Sequence, residues 1–130
     1  MIKRRPYPSL RHVASALYAG YRFSDVLRTF LTYIDAENIE DSISQEPPLL
    51  AGLCPRGAYL DAYLAAVGEF EAERFGFAPP NWVEGEGRFL SAPLAPTIGY
   101  EALHQILASE TPAAFKKRGL VVSSNALDVA

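Results

Sequence analysis

Few residues in this chain have the types and spacing that catalysis or metal binding needs. Cys54 is the only cysteine, and neither His12 nor His104 lies in a motif that sets a base beside a nucleophile. Glu101 precedes His104 by three residues, which on a helix brings both side chains to one face. One such pair supplies two ligands, whereas di-iron bundles use two pairs and two further carboxylates. The sequence therefore predicts a non-enzymatic protein with no catalytic residue, no metal and no cofactor.

Two other patterns resemble functional motifs without meeting their requirements. Glu69, Glu71 and Glu73 alternate along a predicted helix, so they spread around it instead of forming an acid–base pair, and we expect a solvated face. Gly85 and Gly87 are not expected to form a phosphate-binding loop, because no predicted strand precedes them and no lysine follows.

Three consecutive cations are a stronger candidate for binding. Lys116, Lys117 and Arg118 come at the end of a predicted short helix, where positive charge interacts favourably with the helix dipole. One or two cations are enough for that role, and three in a row point in different directions. Binding of an anionic partner therefore stays open beside the structural interpretation.

Trp82, the only tryptophan, follows Pro79 and Pro80 in a segment without helical periodicity. It either fills the gap between the helices on either side and fixes the loop, or projects as an anchor for a partner. The other aromatic residues fall on or near apolar helix faces and are expected in the core or at its edge; these are Tyr18, Tyr21, Tyr59 and Tyr63.

The elements that must position these residues are predicted to be helices. Helical spacing of apolar residues covers 10–19, 24–34, 57–75 and 98–107, and a short helix is expected over 112–118. The second helix is expected to continue, or to restart at Asp35, until Pro47. The predicted N-caps are Ser9, Ser24, Thr97 and Thr111, and the predicted terminating glycines are Gly20, Gly76 and Gly119. We expect an all-α bundle of five or six helices with one long Pro- and Gly-rich loop at 77–96.

Composition limits the class of protein. A chain of 130 residues that is 49% apolar can form one self-sufficient domain, here taken as 1–130. A single cysteine allows no intramolecular disulfide, which favours a reducing, cytoplasmic setting. No apolar run approaches the roughly 20 residues of a membrane helix, and no apolar stretch typical of a secretion signal follows the basic start.

The net charge of −3 conceals two opposed blocks. The front of the chain, 1–34, is strongly basic with Asp25 as its only acid, and 35–48 holds five acids and no cation. The two front helices are spaced like a helix-turn-helix, so one hypothesis is a small DNA-binding regulator. Its phosphate contacts would come from Lys3, Arg4, Arg5, Arg22 and Arg28. The acidic run after residue 34 argues against it.

The second half of the chain carries an ordered set of short motifs. They are YLDAYL from Tyr59, APPNW from Ala78, RFL from Arg88, ETPAAFKKRG from Glu110 and VVS from Val121. In this order they resemble a bacterial domain of toxin–antitoxin operons, found beside nucleotidyltransferase-like toxin genes and sometimes fused to a helix-turn-helix module. The resemblance covers about residues 57–130 and leaves 1–56 without a counterpart.

This resemblance implies an antitoxin-like or regulatory protein that binds and neutralises a protein partner. Trp82 and Phe89 would then be the apolar anchors, since buried aromatic residues often dominate interface energetics. Lys116, Lys117 and Arg118 would meet carboxylates, which a metal-dependent nucleotidyltransferase must carry. A third class, a small hydrolase or ligand carrier, has no nucleophile arrangement to support it.

Overall fold

A computed structural model describes residues 9–90 and 111–120. All regular secondary structure in these two ranges is helical, which confirms the predicted all-α class. The helices are α1 (Leu10–Tyr18), α2 (Phe23–Tyr33), α3 (Ile39–Ser44), α4 (Gly57–Arg74) and α5 (Ala113–Lys116), with a 3₁₀ turn, η1, at Asn81–Glu84. The predictions that lie outside the described residues are the helix at 98–107 with its Thr97 cap, the Glu101–His104 pair, and the basic residues Lys3, Arg4 and Arg5.

Helix α1 begins and ends where the sequence predicts. The Ser9 side chain accepts a hydrogen bond from the His12 amide at 3.2 Å and so caps the first turn. Gly20 adopts a φ of 101°, which glycine accommodates without strain, and its amide donates to the Leu17 carbonyl at 3.0 Å. The apolar stripe packs inward, but Tyr18 and Tyr21 are each 63% exposed, so the expectation that they lie in the core or at its edge is wrong. The same expectation is confirmed for Tyr63, which is buried, and for Tyr59, which packs against the core.

The second predicted helix is divided in two by a polar turn. Asp35 Oδ1 accepts hydrogen bonds from the amides of Glu37 and Asn38, both at 2.9 Å, and the Asn38 side chain accepts from the Asp35 amide at 2.8 Å. These bonds satisfy the backbone outside a helix, so the second helix does not continue. A separate helix does follow, but it begins at Ile39, four residues after the predicted restart at Asp35, and ends at Ser44, before Pro47. Ser24 does not cap α2, because the helix already begins at Phe23.

Helix α4 is the centre of the fold and contacts α3, η1 and α5. Its predicted boundaries are confirmed, but its predicted single apolar face is not. Glu69 and Glu71, which were expected in solvent, are buried, and so is Asp61; of the acids on this helix only Glu73 is exposed. The face without large apolar residues is made of alanine and glycine, which lets neighbouring segments approach the helix closely.

The chain after α4 is held against that helix by its aromatic side chains and its turns. The loop at 77–90 is interrupted by η1, which buries Trp82 and Val83. Helix α5 buries Phe115, whose ring packs edge-on against Tyr63 of α4 with centroids 5.0 Å apart. The N-cap position is taken by Pro112, which makes no side-chain capping hydrogen bond, so the prediction that Thr111 caps the helix is wrong by one position. Gly119 follows the end of the helix as predicted.

The first turn of α4 packs directly on the backbone of the preceding loop. A Cβ atom at Gly57 would overlap the Leu50 carbonyl and lie 2.8 Å from the Ala51 amide nitrogen. Both groups belong to the backbone of a segment that is held by its own hydrogen bonds, so moving either of them aside would disrupt those bonds. Only glycine fits at this contact.

We therefore predict that Gly57→Ala destabilises the protein, although alanine is the better helix former. Overpacking against fixed backbone should lower the free energy of unfolding by about 1–3 kcal/mol, measured by urea denaturation. The neighbouring exposed Ala58 provides the control, since Ala58→Gly changes only helix propensity and should cost about 1 kcal/mol or less. A Gly57→Ala variant as stable as the natural chain would contradict this packing.

Candidate partner-binding surface

Trp82, the first predicted anchor, lies in the interior. Its side chain is 9% exposed, and its indole Nε1 donates a hydrogen bond to the Ile43 carbonyl at 2.8 Å. The Arg88 guanidinium carbon lies 4.9 Å from the centre of its ring. The indole is therefore buried, as the structural alternative predicts, but its hydrogen bond joins η1 to α3, a helix that this alternative did not name.

Arg88, which no motif singled out as a site residue, is fully buried beneath this loop. Its guanidinium contacts Glu46 Oε2 at 3.1 Å, the Pro47 carbonyl, and Asp61 Oδ1 at 3.9 Å. Asp61 in turn accepts hydrogen bonds from the amides of Leu50 at 2.7 Å and Ala51 at 3.0 Å. This pair, the Arg88–Asp61 node, fixes the segment from residue 46 to residue 51 on α4.

Arg118 is also fully buried, so its guanidinium is not a surface cation. It contacts Glu69 Oε1 at 2.9 Å and donates to the carbonyls of Val83 at 2.7 Å and Ala114 at 2.6 Å. Its guanidinium carbon lies 4.8 Å from the centre of the Phe89 ring. This second cluster, the Arg118–Glu69 node, joins α5 and η1 to α4.

The remaining predicted residues lie at the surface above this node. Lys117 is partly exposed and bridges Glu69 at 2.7 Å and Glu84 at 2.9 Å. Lys116 is exposed, and among the described residues no ion-pair partner is found for it. Phe89 is 39% exposed. Phe89, Lys116 and Lys117 therefore form the accessible part of the predicted site, which we call the Phe89 surface.

The two buried glutamates of α4, Glu69 and Glu71, differ in the direction in which their pKa values shift. Burial alone would raise the pKa of Glu69, but hydrogen bonds from Lys117 and Arg118, together with their charges, outweigh it and lower that pKa below its ordinary value. The Glu69 and Glu84 carboxylates raise the pKa of Lys117. Burial raises the pKa of Glu71, and the half-exposed Arg74, 3.1 Å away, compensates only in part.

Sequence reasoning missed Arg88, Asp61 and Glu69 as partners. The signal that could have found them is the run of small residues around Asp61 and Glu69, including Ala62, Ala65 and Gly68. A helix with small residues opposite its apolar face is packed on both sides, so an acid on that face needs a buried cation.

The front of the chain presents exposed arginines. Arg22 and Arg28, the described members of the predicted nucleic-acid-binding set, are both exposed. Across 9–90 and 111–120 there is no group of three or more His, Cys, Asp or Glu side chains arranged to hold a metal ion. Within the same ranges no helix has the length and apolar character to cross a bilayer.

Comparison of the chain with protein-family models, curated proteins and solved structures finds no match to any of them. The toxin–antitoxin resemblance therefore stays a prediction based on the motifs themselves.

We predict that the adjacent cations Arg118 and Lys116 differ sharply in their effect on stability. Arg118→Met keeps an unbranched apolar stem but removes the guanidinium, which leaves the Glu69 carboxylate and two carbonyls short of a partner and should lower the free energy of unfolding by about 3 kcal/mol. The control, Lys116→Met, alters an exposed side chain and should change it by about 0.5 kcal/mol or less. Equal effects in urea denaturation would show that Arg118 is not a buried partner.

The pH dependence of stability should distinguish the two buried glutamates. Because the folded state lowers the pKa of Glu69, its contribution is present above the ordinary value of 4.5 and is lost as the pH falls through the lowered pKa. The raised pKa of Glu71 acts in the opposite sense, since protonation favours the folded state and that contribution is lost as the pH rises above 4.5.

Glu69→Gln should therefore destabilise the protein more than Glu71→Gln at about pH 7, and the difference should shrink at about pH 4. Urea denaturation of both variants and the natural chain at the two pH values measures it. If the difference in unfolding free energy between the two variants grows as the pH falls, the assignment of a lowered pKa to Glu69 and a raised pKa to Glu71 is contradicted.

Proposed function

We propose that this chain is a non-enzymatic, antitoxin-like or regulatory protein that binds and neutralises a protein partner, with a nucleotidyltransferase-type toxin as the partner class. The observation that carries the proposal is the Phe89 surface, where the partly exposed Phe89 ring lies 4.8 Å from the guanidinium carbon of Arg118 and the exposed Lys116 and Lys117 directly precede Arg118 in the chain.

Contacts with the end of α5 hold the Phe89 surface in place. The Leu90 amide donates to the Arg118 carbonyl at 3.1 Å, which brings the Phe89 backbone alongside the end of α5. The Arg118 guanidinium beneath the ring limits its motion. A ring that is already ordered loses little conformational entropy on binding, and aromatic residues are enriched among the residues that dominate interfaces.

The cations of the Phe89 surface favour an acidic target. Lys116 is free to meet a carboxylate, whereas Lys117 already shares its charge between Glu69 and Glu84. A nucleotidyltransferase-like toxin holds its metal ions with carboxylates, so a lysine delivered next to a bulky ring would both pair with those groups and block the cleft. Trp82 and Arg118 would contribute by holding this surface in shape, not by contacting the partner.

We expect co-expression with the product of the neighbouring gene to yield a complex that depends on the Phe89 surface. Phe89→Ser combined with Lys116→Glu should weaken the complex at least about tenfold and restore the partner's toxicity. Arg28→Glu, an exposed cation changed on α2, is the matched control and should leave both unchanged. Absence of a complex, or a complex equally strong in both variants, would refute the proposal.

The alternative is a small DNA-binding transcriptional regulator that uses the basic front of the chain. Its support is the exposure of Arg22, at the N-cap of α2, and of Arg28, within α2, the second of two helices joined by a short turn. Phosphate contacts weaken steeply with added salt, whereas an apolar protein interface does not. Strongly salt-dependent duplex binding that Arg22→Ala and Arg28→Ala both weaken would favour this function over the first.

A further inference from the structure

A second surface, remote in sequence from Phe89, combines exposed apolar side chains with a groove. Tyr18 and Leu53 are 63% and 60% exposed, among the most exposed large apolar side chains in the described part of the chain. Both line a groove of about 200 Å³ between α1 and the loop after α3, together with Ala14, Ser15, Pro48 and Leu50. We call this the Tyr18–Leu53 groove.

The groove has a wall that is fixed before anything binds. The amides of Leu50 and Ala51 are held by the Asp61 carboxylate, and the amide of Leu53 donates to the Leu50 carbonyl at 2.9 Å. The Arg88–Asp61 node holds the start of the same loop. Preorganisation of this kind reduces the entropy that a binding surface loses when a partner arrives.

The charge near the groove is mainly positive: Glu46, two residues from Pro48, is the acid nearest to the lining residues along the chain, and it is paired with Arg88 at 3.1 Å. The chain before Asp25 contains no acidic residue, and neither does the stretch between Glu46 and Asp61. Residues of these two stretches line the groove, and each of their exposed cations Arg11, Arg22 and Arg56 lies within four positions of a lining residue; the Arg56 guanidinium also stacks over the Tyr59 ring at 4.3 Å. On α1, Arg11 and Tyr18 are seven residues apart and so share the face that carries Ser15. The rim therefore favours an acidic occupant, although the whole chain has a net charge of −3.

The size and chemistry of the groove indicate which class of molecule it can bind. Pockets for small molecules usually have a volume of about 300–1,000 Å³ and enclose their ligand. This groove is smaller and open to solvent, so it does not suit a small molecule. Nucleic acid would meet exposed leucine and tyrosine side chains where phosphate contacts are needed. One or two apolar side chains of a protein segment fit better, and exposed apolar patches with a charged rim are typical of protein-binding sites.

We propose that the Tyr18–Leu53 groove binds an acidic amphipathic segment of another protein, whose apolar side chains enter the groove while its carboxylates pair with the arginine rim. This interaction is separate from the Phe89 surface and does not depend on it.

The test is selection of a phage-displayed library of random peptides against the full chain at low salt. The enriched peptides should combine Asp or Glu with Leu, Phe or other apolar residues at helical spacing. No enrichment, or enrichment of basic or purely polar peptides, would overturn the proposal.

The best peptide is then synthesised, and its affinity is measured by fluorescence anisotropy against variants of the groove. Leu53→Ser and Ser15→Glu should each weaken binding about tenfold, and Ser15→Lys should strengthen it, because the sign of the charge beside the groove decides the effect. Both positions are exposed, so folding should persist, and circular dichroism of each variant checks this. Affinity that is unchanged by Leu53→Ser and by the sign of the charge at position 15 would overturn the proposal.

Matched controls separate this interaction from the other hypotheses. Phe89→Ser and Arg28→Glu should leave peptide binding unchanged, so the groove and the Phe89 surface can succeed or fail independently. Self-association that Leu53→Ser abolishes would identify a second copy of this chain as the occupant and overturn the proposal. If duplex DNA displaces the peptide and Leu53→Ser also abolishes DNA binding, the occupant is nucleic acid and the proposal is likewise overturned.

Discussion

Two buried guanidinium groups need compensating charge, and α4 supplies it to both. Moving an ion out of water costs several kcal/mol unless it is paired and hydrogen-bonded. Arg88 is paired with Asp61, and Arg118 with Glu69. Because the two acids are eight residues apart on one helix, about 12 Å along its axis, the two nodes attach different parts of the chain to one rigid element. The loop after α3, the 3₁₀ turn and α5 are positioned in this way.

The same requirement decides which residues remain available for binding. Arg118 and Trp82 have the chemistry of interface anchors, but the interior uses them, one to neutralise Glu69 and the other to bridge η1 and α3. Phe89 and Lys116 stay accessible above the Arg118–Glu69 node. The Arg88–Asp61 node likewise holds the loop that forms one wall of the Tyr18–Leu53 groove. Both candidate surfaces are thus held in position by ion pairs that are themselves buried.

Local features of the sequence predicted much of the helical framework. Ser9 and Gly20 bound α1 as expected, and the apolar period from residue 57 to residue 75 located α4, because capping and periodicity depend on near neighbours in the chain. The predictions failed where the result depends on what packs against a helix. Tyr18 has the spacing of the apolar stripe of α1 but shares a helix face with the exposed Arg11 and Ser15, so it is exposed although the adjacent Leu17 is buried.

The sequence by itself determined the all-α class, the boundaries of α1 and α4, and the presence of a cationic cluster beside aromatic residues. Only the tertiary structure decided which members of that cluster face solvent. Lys116 and Arg118 differ by two positions and carry the same charge, yet one is exposed and the other is fully buried. The physical reason is that burial of an arginine requires a carboxylate, and Glu69 reaches Arg118 only when α5 packs on α4, a contact between residues 49 positions apart.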